Sequence, residues 1–178
     1  KYFPQEIVQV IEGDGKVAAD LLALEFDHVF FTGGENIGKK VMEAAAKNLT
    51  PVTLELGGKS PAIVIDGANL EVTAKRLIWG KSLNAGQTCI APDHLLVKDE
   101  LFESLLSNLK KSIQDFYGNN PLNSEHLGSI INQTQFKRLV NLLNQAKNNN
   151  QIIFGGNYNE QERRISPTLI KIENRNDP

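Results

Sequence analysis

The single thiol of the chain, Cys89, lies in Asn84-Ala85-Gly86-Gln87-Thr88-Cys89-Ile90-Ala91-Pro92, a run of small and turn-forming residues. Loops of this kind display reacting groups on a rigid scaffold. A lone cysteine is also commonly a small buried apolar side chain. A nucleophilic role requires a base within reach and backbone N–H groups to receive an oxyanion, and Gly86 lets the backbone approach a substrate closely. Glu55 is the one carboxylate within the apolar run Val52-Thr53-Leu54-Glu55-Leu56, and Gly57-Gly58 follow it directly. A carboxylate there is either paired at a sheet edge, as with a lysine, or a partly desolvated general base. The three histidines, His28, His94 and His126, have no local partner pattern; a Cys–His hydrolase requires one of them against the Cys89 sulfur.

A third candidate is Phe30-Phe31-Thr32-Gly33-Gly34-Glu35-Asn36-Ile37-Gly38, which sets backbone amides at a helix N-terminus just after a strand. Such a turn can hold a phosphate or pyrophosphate. It serves equally as a glycine-assisted strand-to-helix turn. The spacing is not GxGxxG, and the acidic residue expected about 20 positions on to hold a ribose in a Rossmann fingerprint has no clear counterpart.

These residues need elements to hold them, and the hydrophobic period alternates between strand and helix along the chain, which points to an α/β fold with a mainly parallel sheet. Strands are expected at Glu6 to Ile11, His28 to Phe31, Pro51 to Leu56, Ala62 to Ile65, His94 to Val97, Gln151 to Phe154 and Thr168 to Ile172. Helices are expected at Lys16 to Leu24, Asn36 to Asn48, Asn69 to Leu83 or Asn84, Glu100 to Tyr117 and Asn132 to Lys147, with Asn69 as a cap. Loops are expected at Gly13 to Gly15, around Cys89 and at Asn119-Asn120-Pro121. The opening Lys1-Tyr2-Phe3-Pro4 and the closing Asn174-Arg175-Asn176-Asp177-Pro178 read as positions inside a longer chain.

At 178 residues, with 40% hydrophobic and 22% charged residues, the composition is that of a globular chain able to bury roughly 70% of its unfolded surface. A net charge of −2 with scattered Lys and Arg gives no footprint for nucleic acid or an anionic membrane. One cysteine excludes a disulfide framework and cysteine-rich metal sites, fits a reducing compartment, and leaves no metal expected. No apolar run approaches the roughly 20 residues of a membrane span.

Phe31-Thr32-Gly33, Glu55-Leu56-Gly57-Gly58-Lys59 and Gly86-Gln87-Thr88-Cys89, in this order, together resemble the aldehyde dehydrogenase superfamily. Ala44 to Val52 and Gly118 to Gln133 resemble its fatty-aldehyde, class 3 branch, and the resemblance runs from about Glu6 to Pro178. It implies a partial three-layer α/β fold of that family, with residues 1–55 as the C-terminal part of a dinucleotide-binding domain and residues 56–178 as most of a catalytic domain, incomplete at its C-terminus. It implies NAD(P)-dependent oxidation of an aldehyde to an acid, through a thiohemiacetal and then a thioester on Cys89. Glu55 activates the hydrolytic water, and the Cys89 N–H forms part of the oxyanion hole. Thr32, Gly33, Gly34, Gly38, Leu56 and Gly57 match cofactor-facing positions, with NAD or NADP as cofactor. A homodimeric, cytoplasmic parent is implied, with membrane association through a tail beyond this sequence left open.

Gly34 departs from the family's frequent Ser. The family's ribose-binding Lys and Glu, its upstream oxyanion Asn and its later Glu-containing cofactor motif have no counterpart here, and Asn84 falls in a different motif. The isolated chain is therefore expected to be inactive, with a non-catalytic α/β binding module as the alternative.

Overall fold

The computed structural model describes residues 2–172, and the expected break at Asn174 to Pro178 lies outside them. The chain divides into two compact units, Lys1–Gly57 and Gly58–Pro178.

In the first unit, α1 (Gly15–Leu22) begins where Asp14 accepts hydrogen bonds from the Lys16 and Val17 N–H groups, at 2.9 and 3.2 Å. These two bonds satisfy amides that a helix start leaves without partners. Strand β1 (Val29–Thr32), helix α2 (Glu35–Ala46) and strand β2 (Val52–Glu55) then form one strand–helix–strand crossover. β1 and β2 pair in parallel with Val29 opposite Val52 and Thr32 opposite Glu55, so the two strands end together. Parallel neighbours require such a crossover, and α2 supplies it with Gly38, Val41 and Ala45 on its buried face. The return to β2 is tied by Thr50, whose hydroxyl donates to the Phe26 carbonyl at 3.0 Å.

Glu6 to Ile11 is not a strand. The Ile7 and Val8 N–H groups both donate to the Pro4 carbonyl at 3.1 Å, and Ile7, Val8, Val10 and Ile11 are exposed. β propensity alone does not make a strand, because the ladder needs a partner and none of the described strands lies alongside this segment.

The second unit opens with β3 (Ser60–Val64), followed by α3 (Leu70–Ser82), a short 3₁₀ turn (Leu83–Gly86), and β4 (Pro92–Val97), which pairs in parallel with β3. Asn69 caps α3 by accepting from the Val72 N–H at 3.1 Å. Then come α4 (Asp99–Tyr117) and α5 (Gln133–Asn148), the latter capped by Asn132 at the Gln135 N–H, 2.9 Å. Val64, Ala74, Ile78, Leu105, Leu109 and Ile113 form the core, joining β3, α3 and α4. Each large aliphatic side chain buried there contributes about 1.5–3 kcal/mol of transfer free energy.

β5 (Ile152–Phe154) pairs antiparallel with β8 (Leu169–Ile170) as a separate two-stranded sheet of the second unit. A small hairpin, β6 (Tyr158–Asn159) with β7 (Arg164–Ile165), was not expected from sequence. Its two-residue strands carry no alternation long enough to read. The expected strand at Thr168 to Ile172 shortens to Leu169–Ile170, and Pro121–Asn123 in the expected loop forms a 3₁₀ turn.

Candidate active site

In the first unit the glycine turn leaves the end of β1. The Gly33 N–H donates to the Glu55 carbonyl at 3.0 Å, extending the ladder one step past Thr32 and fixing the turn to the end of β2. Gly34 is the residue before α2; it is extended and offers no side-chain cap, so the Glu35 and Asn36 amides have no side-chain acceptor. A Cβ on Gly34 would meet nothing within 4 Å, and the same holds for Gly57. Glu35, in the first turn of α2, is paired with Lys39 at 2.7 Å. The Lys39 hydrogen bond and charge hold its carboxyl below the usual carboxylate value.

Gly38 does a different job. It is buried, and a Cβ there would sit 2.9 Å from Leu56 Cδ2 and 3.7 Å from Leu54 Cδ1. Its missing side chain lets α2 lie against the end of β2 and seats Leu56. Glu55 is exposed at the last position of β2, and Leu56 is half-buried. His28 is engaged in the same unit, with its Nε2 3.0 Å from the Thr53 hydroxyl.

In the second unit, Cys89 is an exposed free thiol. It sits within a turn closed by the Ala91 N–H donating to the Thr88 carbonyl at 3.1 Å. Among the described residues the Cys89 N–H has no protein acceptor. The Cys89 carbonyl faces Gly58, where a Cβ would come closer than the 3.0 Å that real side chains respect. The Ser60 hydroxyl donates to the same carbonyl at 3.5 Å.

Both ends of the turn are anchored. Upstream, Asn84, Ala85 and Gly86 all have positive φ (53°, 54° and 77°), which for the alanine costs about 1–2 kcal/mol. Asn84 Nδ2 donates to the Gln87 carbonyl at 3.3 Å, so this asparagine holds the loop itself. Downstream, Asp93 receives both Lys59 and Lys81 at 3.2 Å. Burial pushes its carboxyl up, but Lys81 and Lys59 together outweigh that and hold it below the usual value. These lysines come from two separate segments, one just after Gly57-Gly58 and one in the last turn of α3.

His94 lies in β4 opposite Pro61, and His126 lies in an exposed turn with its N–H on the Ser124 hydroxyl at 3.3 Å. Among the described residues neither makes a hydrogen bond to Cys89, so the Cys–His reading finds no geometric support. The supporting roles that sequence reasoning missed are those of Gly58 as a spacer, Gln87 and Asp93. The Gly57-Gly58 pair was a readable signal for the first, whereas the other two act through partners distant in sequence.

Comparison with known proteins places this geometry among related chains. The family model described as "Aldehyde dehydrogenase family" matches residues 2–177. The chain is 48% identical over 168 residues to 4,4'-diaponeurosporen-aldehyde dehydrogenase of Staphylococcus aureus (strain NCTC 8325 / PS 47), covering 94% of this chain and 36% of that protein. It is 42% identical to "Aldehyde dehydrogenase, dimeric NADP-preferring" of Mus musculus, covering 96% of this chain and 37% of that one. A solved structure described as the substrate-bound state of Staphylococcus aureus AldH superposes with a TM-score of 0.86 at 47% identity, over 94% of this chain and 36% of the other. The chain thus spans little more than a third of the length of these relatives.

Proposed function

Because the chain belongs to the aldehyde dehydrogenase family, we propose that it carries the reacting residues for NAD(P)-dependent oxidation of an aldehyde to a carboxylic acid, exercised within a protein of the relatives' length. One observation supports this most: Cys89 is an exposed thiol in a turn tied down on both sides, with its own N–H free of protein acceptors.

The Cys89 sulfur, as thiolate, attacks the aldehyde carbon and forms the C–S bond, while the carbonyl π pair moves to oxygen. The free Cys89 N–H receives the developing oxyanion, the kind of donor whose removal costs about 10²–10³ in rate. NAD(P)⁺, when bound, supplies the hydride acceptor that turns the hemithioacetal carbon into a thioester. Glu55 then takes a proton from water, whose oxygen adds to the thioester carbon, and the acid leaves as the C–S bond breaks and Cys89 is regenerated. The balance is aldehyde plus water plus oxidised cofactor giving acid, reduced cofactor and a proton.

The glycine turn fits a dinucleotide on three counts: uncapped amides at α2, open space at Gly34 and Gly57, and a Glu35 charge matched by Lys39. Thr32, Gly33, Gly34, Leu56 and Gly57 would line the cofactor, and Gly38 would seat Leu56 by packing. Residues 1–55 then serve as the end of a dinucleotide-binding domain and residues 56–178 as catalytic domain. No helix among the described residues is long and apolar enough to cross a membrane. A reducing compartment such as the cytoplasm keeps the Cys89 thiol competent, and likeness to the mouse relative named dimeric favours pairing with a second copy.

The test is reduced-cofactor production, with a medium-chain aldehyde, by a purified protein of the relatives' length that contains this chain. Cys89→Ala should abolish turnover and leave cofactor binding intact, and turnover within tenfold of wild type sinks the assignment.

A further inference from the structure

Gln87 stands two residues before Cys89, and every polar atom of its side chain is engaged with backbone. Its Nε2 donates to the Asn84 carbonyl at 3.0 Å and to the Ser129 carbonyl at 3.2 Å, while its Oε1 accepts from the Ile131 N–H at 2.9 Å. The Gln87 N–H also donates to the Asn84 carbonyl, at 3.1 Å. The 129–131 strip is fixed in turn by Arg163: the Ile130 N–H donates to the Arg163 carbonyl at 2.8 Å, and Arg163 Nε donates back to the Ile130 carbonyl at 3.0 Å.

The backbone just before Gln87 is strained, with Asn84 and Ala85 in the left-handed region where side chains are rarely found. Such a conformation persists only where its surroundings over-determine it. Gln87 does so from two directions, closing on Asn84 behind it and on residues 42 and 44 positions ahead. Beyond Gln87 only the short Thr88–Ala91 turn remains before β4. The direction in which Cys89 leaves the loop is therefore set at Gln87. Only glutamine brings two N–H donors and an acceptor at this reach: glutamate would turn a charge toward two carbonyls, and methionine would leave the Ser129 carbonyl and the Ile131 N–H unpaired.

We infer that Gln87 is a positioning residue for the nucleophile, holding the Cys89 turn in its reactive geometry by tying it to the 129–131 strip. The inference rests on the proposed aldehyde oxidation, whose own test is the wild type against Cys89→Ala. If that comparison fails, the functional reading falls; if it holds and Gln87 variants behave like wild type, only this inference falls.

The experiment measures steady-state kinetics of Gln87→Met in the full protein well below its unfolding temperature, together with the pH profile of Cys89 alkylation by iodoacetamide. A misplacement near 1 Å costs on the order of a hundredfold, so kcat should fall tenfold or more, with the cofactor KM within threefold of wild type and the alkylation profile altered. A kcat within tenfold of wild type, or an unchanged alkylation profile, overturns the inference whatever happens to thermal stability. Should Gln87→Met not fold, Gln87→Glu is read in the same way. In the wild type the Ile131 amide should be protected from hydrogen exchange although its residue is 73% exposed, and free exchange there also overturns the inference.

Discussion

The backbone at Gly58 runs against the carbonyl oxygen of Cys89 with no room for a side chain between them. The neighbour is main chain, so nothing can rotate away, and the Cys89 carbonyl also takes the Ser60 hydroxyl. Gly58→Ala must push the nucleophile turn aside. Overpacking of this kind costs about 1–3 kcal/mol. The expected outcome is a lowered denaturation midpoint of that size together with at least a tenfold loss in kcat; a variant with wild-type kcat would show that the turn accommodates a methyl group without moving Cys89.

Gly38→Ala separates packing from stability in the first unit. The added methyl meets the end of the Leu56 side chain at 2.9 Å, which can give way, whereas alanine gains about 1 kcal/mol over glycine in a helix interior. These effects oppose each other, so stability should change by less than about 1 kcal/mol. Leu56 must shift, and if it faces the cofactor the NAD(P) dissociation constant should rise. Calorimetric titration beside thermal denaturation checks this, and unchanged cofactor affinity would remove Leu56 from the cofactor surface.

Asp93 gives a pH dependence with a definite sign. Its folded value lies below the ordinary 3.8 because Lys81 and Lys59 outweigh the effect of burial. A depressed carboxylate contributes stability that is fully present above the ordinary value and is lost as pH falls through the folded one. Both lysines are substantially exposed, so the contribution is about 1 kcal/mol. Asp93→Asn should be less stable than wild type by that amount at pH 7, and the two should converge below pH 3.8. A gap that persisted at low pH would mean that Asp93 acts by packing rather than charge.

Much of the helix and strand order could be read from the sequence because its signals are local. Asn69 announces its helix by capping chemistry, and the 3.6 period carries α2 and α5. Glu6 to Ile11 reads as a strand in sequence and is not one in the structure, because an apolar run specifies a strand only when another strand lies beside it. The Cys89 turn was visible in its small residues and single thiol. Its supports were not: Gln87 acts through backbone groups more than 40 positions away, and Asp93 gathers lysines from two different segments. Gly38 and Gly58 are the same residue type in sequence, and what a Cβ would strike at each shows only in the fold.

The central claim, that Cys89 holds the substrate as a thioester until Glu55 delivers water, is tested most directly by rapid quench of Glu55→Gln with an aldehyde and cofactor, followed by mass analysis of the Cys89 peptide. Amide for carboxylate removes the base but leaves the thiol and the hydride step. The expected result is a stoichiometric burst of reduced cofactor, a slow steady state, and an acyl group on Cys89. Loss of burst and steady state together, with Cys89 unmodified, would contradict it and leave Glu55 acting on the thiol or on structure alone.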